Sequence, residues 1–445
     1  MEPPAPENMV NTADHKLYKR RWLMLLLFVI YAFNGALQWT QFTTINNLVT
    51  KYYNVSTTQV EWTASVFILS FIILAIPSLY LIDLMGVRYV VILSALGIAV
   101  GNWMKLFSVA PDRFYLAFIG QCCSASFLKL TYGLFGRFTA IWFGADEIST
   151  AGVLVVLGDH LGSAFSYILP AIMVDDGSEE VIGNGLRNMY LSVSISSTVI
   201  FFSILFFLQT KPKIPPSIAQ VKQKQVKKDK ILSALGKMMR KPAFLWFILS
   251  FGLNCATSTS VAICLNEIIV TNFPDATSKD VGNIGFVMMF VGIFGSLLVG
   301  KMLDKTKLFK EYSIVLTICT TISMIAFTWS LKSGNVLFVY AAALLIGFFV
   351  TGYYSSGMQL GIELTYPIHE EISTTITFLS GALFSLITTV AYGYMIKIYG
   401  DLISNIVMIV LNIIAVVATL CIKVDLKRQR AENEPKASEL KEFIK

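Results

Sequence analysis

Histidine is scarce in this chain, with three in 445 residues, at positions 15, 160 and 369. The six cysteines, at 122, 123, 255, 264, 319 and 421, have no metal-ligand spacing and all fall in apolar runs. They read as buried free thiols, not as a zinc site. No phosphate-binding glycine loop and no dinucleotide fingerprint is present. No nucleophile, base and orienting group come together, so an enzyme is not expected, nor a cofactor or metal. Charge is sparse too: Asp, Glu, Lys and Arg make up 14% of the residues. The first 21 residues are polar and lack a cleavable signal pattern, so the first apolar run is expected to remain as an anchor.

What fills the chain is hydrophobicity, at 55% of residues and a mean hydropathy of +0.66. Apolar runs of the length needed to cross a bilayer as a helix recur throughout. Barrel strands are not expected, because they would be about half as long and alternating. Twelve spans are predicted, near 22–47, 60–82, 88–109, 114–141, 147–174, 188–209, 243–272, 280–303, 312–331, 335–364, 371–396 and 402–422. The fold class is therefore an all-α membrane protein, with the lipid bilayer as its surroundings. With both termini on one side, that side collects 27 of the 35 Lys and Arg. Such an excess marks the cytoplasmic face, and it explains the net charge of +7 without nucleic acid. Asp175, Asp176, Glu179 and Glu180 then lie in an outward loop.

The longest polar stretch, Gln209–Lys241, holds ten basic residues and one acid, Asp229, and divides the spans six and six. The halves repeat. Glu-Ile-Ser-Thr occurs at 147–150 and again at 371–374, an offset of 224. LIDLMGVR around Asp83 and KMLDKTK around Asp304 are offset by 221. The expected divisions are a tail over 1–21, a half over 22–209, a linker over 210–241, a half over 242–422 and a tail over 423–445. Two six-helix, pseudo-symmetric halves joined by a cytoplasmic linker resemble the major facilitator superfamily. Asp83-x-x-Gly86-x-Arg88 resembles that superfamily's loop motif, which implies a cytoplasmic gate. Asp83, Gly86, Arg88, Asp304, Arg137, Glu147 and Glu363 are the candidate gating residues. In such folds the substrate sits between the halves, which rock about it.

The first span is too polar at its outer half to face lipid all round. Gly35, Trp39, Thr43 and Asn46 recur at helical spacing as one stripe, either packed on other helices or lining a cavity. Trp39 is either a packing residue or a cation–π wall for an ammonium. In the fourth and fifth spans, Lys129 and Asp159 lie about 18–20 Å from the cytoplasmic ends of their helices. Charge at that depth is costly. A buried Lys129–Asp159 pair is expected, with His160 beside it, against the alternative that Lys129 snorkels. Asn54-Val-Ser56 is a glycosylation sequon in the first outward loop.

Asn34-Gly-Ala-Leu-Gln38-Trp39, Gly101-x-Trp103-x-Lys105, Gly120-Gln121-Cys122 and Arg137…Trp142-Phe143-Gly144…Glu147-x-Ser149-Thr150-Ala151 form a further pattern. Pro215-Pro216-Ser217, Leu265-Asn266 and Thr351-Gly352-Tyr353…Gly357…Glu363-x-Thr365-Tyr366-Pro367 continue it. Together, over roughly residues 20–430, they resemble the feline leukaemia virus subgroup C receptor family. That resemblance implies a facilitative transporter of choline or ethanolamine, with haem export as the alternative. It also implies a plasma-membrane location and monomeric action. A membrane receptor that binds its ligand without moving it is the reading from another class. The family's ammonium cage implies Trp39 as one wall. Thr259, His160 and Thr388 stand where the family has an aromatic and two glutamines. Gln38, Asn34, Tyr132 and Tyr353 complete the candidate substrate-binding set, and Phe135, Tyr354 and Phe384 are further rings.

Overall fold

The computed structural model describes residues 18–144, 147–212, 231–366, 368 and 370–423. Among these residues there are helices and no strands. The chain runs through α1 (Arg21–Ala36), α2 (Asn46–Tyr53), α3 (Thr57–Met85), α4 (Val87–Leu106), α5 (Phe114–Lys129), α6 (Leu134–Trp142), α7 (Ile148–Met173) and α8 (Glu179–Phe207). A short α9 (Ile231–Met239) follows. Then come α10 (Pro242–Asn272), α11 (Ser278–Thr306), α12 (Phe309–Lys332), α13 (Val336–Thr365) and α14 (Glu370–Cys421).

These helices make twelve crossings. Two predicted spans are broken: α1 with α2 forms the first, and α5 with α6 the fourth. α14 supplies two, because it reverses at Gly400, whose φ of 80° is open to glycine without strain. Both copies of Glu-Ile-Ser-Thr begin a helix, α7 and α14, at the side where the linker joins the halves. That end is called the linker side here, and the opposite end the far side.

Capping follows the sides. On the far side, Ser56, Ser178, Thr277 and Asn335 each cap a helix start with a side-chain oxygen. This corrects the sixth span, which begins at Glu179 and not near 188. Ser178 accepts from Val181 N–H, and Glu179 and Glu180 sit in the first turn, where the helix dipole favours acids.

Each half has its own core, and Tyr167 and Ala64 of the first half reach into that of the second. Packing of α7 on α1 is close enough to need glycine: a Cβ on Gly158 would stand 2.8 Å from the Val29 carbonyl oxygen. In the second half the helices are tied by small polar pairs. Thr257 donates to Asn412 (3.1 Å), and the Ser260 and Thr389 hydroxyls bond at 3.0 Å. Packing of this kind is the usual work of small polar residues between membrane helices. The linker is not polar throughout: α9 buries Ala234 and Met238 in one cluster with Phe244, Phe247 and Ile422. Pro215, Pro216 and Ser217 lie outside the described residues.

Candidate functional site

Helix α1 stops at Ala36, and turns carry the chain to a single 3-10 turn at Thr43–Ile45. The stripe of Gly35, Trp39, Thr43 and Asn46 therefore does not continue along one helix. Trp39 sits on the break, half-buried, and packs against the cores of both halves. Gln38 and Asn34 turn the other way, into the first half. Gln38 accepts from Lys105 Nζ at 2.8 Å, and the Asn34 amide donates to Ser197 at 3.0 Å.

The fourth span breaks over Leu130–Gly133, which leaves Lys129 as the last residue of α5. A helix C-terminus favours a cation. The Lys129 ammonium does not form a direct ion pair with Asp159. It lies 3.9 Å from the centroid of the Tyr132 ring, a cation–π contact. The Tyr132 hydroxyl in turn donates to Asp159 Oδ2 at 3.5 Å. The expected pair is thus bridged by a phenol, because the chain break points Tyr132 between the two charges. Tyr132 also lies 5.4 Å from both Phe71 and Phe135, so the ring that meets this cation is itself packed between two phenylalanines.

His160 hydrogen bonds back to the Val156 carbonyl at 3.0 Å, along its own helix. Thr259 is half-buried beside Tyr354. Tyr354 is the second-half ring that turns toward the interface, within electrostatic range of Tyr132. Tyr353 is instead fully buried, with its hydroxyl 3.0 Å from that of Ser250. The structure thus brings Lys129, Tyr132 and Asp159 together in the first half, with Trp39 at the break of that half's first span. Thr259 and Tyr354 belong to the second.

At the linker side, Arg137 pairs with Asp83, joining α6 to α3. Arg88 reaches the Leu205 carbonyl instead, at 3.3 Å. Gly86 makes the turn between α3 and α4 with a φ of 80°. Glu147 receives two hydrogen bonds of 2.9 Å from Arg21, binding α1 to the start of α7. Glu363 is buried near the end of α13. The side chain of Asp304 lies outside the described residues.

The far side is where the halves meet through polar contacts. The Asn266 side chain on α10 donates to the Thr44 carbonyl at 2.8 Å and to Asn47 Oδ1 at 3.0 Å, and accepts from Asn47 N–H at 3.3 Å. Tyr167 donates to the Ala262 carbonyl at 2.9 Å, and Lys279 pairs with Asp175 at 2.9 Å. Lys51 holds the Asp176 carboxyl below its ordinary range by a hydrogen bond within the first half. Hydrogen bonds and an ion pair thus join the halves at this end.

Two groups escaped sequence reasoning. Lys105 is 1% exposed, and its ammonium donates to Gln38, Gln41 and Gln121. Glu61, 6% exposed, meets Glu267 across the interface. The signal for Glu61 was present, since it falls inside the second predicted span.

The Major Facilitator Superfamily profile matches residues 27–387. The choline/ethanolamine transporter flvcr2a of Danio rerio is 32% identical over 98% of this chain and 93% of its own length. The human choline/ethanolamine transporter FLVCR2 is 29% identical over 96% of this chain and 82% of its own. A bacterial homologue of the lysosomal transporter Spinster superimposes with a TM-score of 0.71, at 13% identity over 91% of this chain and 97% of that one. With two six-helix halves, a closed far side and these relatives, the chain belongs to the Major Facilitator Superfamily and, within it, to the feline leukaemia virus subgroup C receptor-related family.

Proposed function

We propose that this chain is a facilitative transporter of a small organic cation, choline or ethanolamine, that works by alternating access. Both termini and the linker are assigned to the cytoplasm, and the plasma membrane is its expected site. The rocking units are residues 22–209 and 242–422, acting within one monomer. The observation that carries the reading is Trp39, half-buried on a helix break and touching both cores. A broken helix frees polar backbone near the substrate, and an indole face attracts an ammonium.

Tyr132, packed against Phe71 and Phe135, already holds one ammonium, that of Lys129. The same aromatic layer suits a substrate cation of similar size, with Asp159 as the compensating charge. Labelled choline and ethanolamine uptake should be measured in cells lacking their own high-affinity carriers. The Trp39→Ala variant at equal surface expression should lose about tenfold or more of that uptake. Unchanged uptake would remove Trp39 from the site, and no uptake of either amine by the parent chain would overturn the substrate class.

A further inference from the structure

A second polar cluster lies at the far end of the interface, apart from the layer around Trp39. Glu61 stands in the first turns of α3. Glu267 on α10 lies within hydrogen-bonding reach of it, from the other half. α14 closes the third side. A Cβ on Gly393 would stand 2.8 Å from Glu61 Oε2, so α14 packs directly against the carboxyl. Glu61 Oε1 and Glu267 Oε2 have no hydrogen-bond donor among the described residues.

The nearest cation acts on Glu61 from a distance and forms no ion pair with it. Lys397, on α14, is exposed, and its ammonium donates to the Thr58 hydroxyl. Among the described residues no cation forms an ion pair with either carboxyl. Cys264 on α10 contacts Glu61 as a buried thiol. Tyr392 on α14 donates its hydroxyl to Asn405, and Asp401 is paired with Lys332 at 3.2 Å.

Two ionised carboxylates in contact, shielded from water, repel one another, and a proton held between them turns repulsion into a hydrogen bond. We propose that Glu61 and Glu267 form a proton-binding site that latches the far ends of the two halves together. In the closed state one carboxylic acid donates to the other's carboxylate. When the halves part, water reaches both groups, each is solvated as a carboxylate, and one proton leaves to the far-side solution. Acid therefore favours closure of the far side, and alkali favours its opening. The site acts on the conformational cycle whatever the substrate, so it stands apart from the choline reading.

Asn54 and Asp275 are exposed at the far ends of opposite halves. Nitroxides at Asn54→Cys and Asp275→Cys, in a Cys421→Ser background, report their separation by pulsed electron resonance in lipid nanodiscs. Between pH 5 and 9 the open-to-closed ratio should rise about tenfold per pH unit across the range where the proton is released. Glu61→Gln and Glu267→Gln keep a hydrogen-bonding side chain without the ionisation, so each should flatten that dependence. A parent chain whose distances ignore pH would overturn the proposal. So would a pH response that persists in the Gln variants; either variant that folds is enough to decide.

Discussion

Lys105 brings a cation inside the first half and finds all its acceptors among neutral amides. Its neighbour Gln121 also donates to the Gln38 carbonyl at 2.7 Å, so one lysine fastens the broken end of α1 to α4 and α5. Replacing it by methionine fills the space but leaves three amide oxygens without their donor. Lys105→Met should lower stability by about 3 kcal/mol or more, read as a fall in the thermal midpoint of the purified protein. In the sequence this lysine counts as one more positive charge at an outward helix end. Nothing in its spacing reveals that Gln38 and Gln41 from one segment and Gln121 from another converge on it. Glu61 was passed over for a different reason: as the second residue of a predicted span, an acid there looks like a boundary residue.

Elements were the most legible level. Hydropathy marks twelve crossings because each must satisfy its own backbone hydrogen bonds in lipid. The repeated Glu-Ile-Ser-Thr marks the same helix start in both halves. The two breaks were not legible. Whether a helix opens depends on what replaces its lost hydrogen bonds. Here these are tertiary partners, such as the Gln121 side-chain amide that donates to the Gln38 carbonyl at 2.7 Å. The breaks matter to the chemistry, since one presents Trp39 and the other puts Lys129 at a helix end facing Tyr132. If this layer handles the substrate, Lys129→Ala and Asp159→Ala should each slow transport several-fold at normal surface expression. Full activity in both variants would show that the charges serve packing alone.

For the molecule as a whole, the contacts that hold the far side shut are few, and Asn266 makes three of them. Each contributes about 0.5–1.5 kcal/mol net. Asn266→Ala should therefore move the resting population toward far-side opening by tenfold or more, measured by the same nitroxide pair at fixed pH. An unchanged distance distribution would mean that Tyr167 and the Lys279–Asp175 pair suffice.

Gly400 joins the last two crossings with no intervening loop. For anyone mapping topology from the far side, this corner has no handle. An epitope inserted there would split a continuous helical hairpin, and an antibody or protease would find no free strand to grip. The exposed positions near Asn54, Asp275 and Gly334 are the places on that face to put a tag.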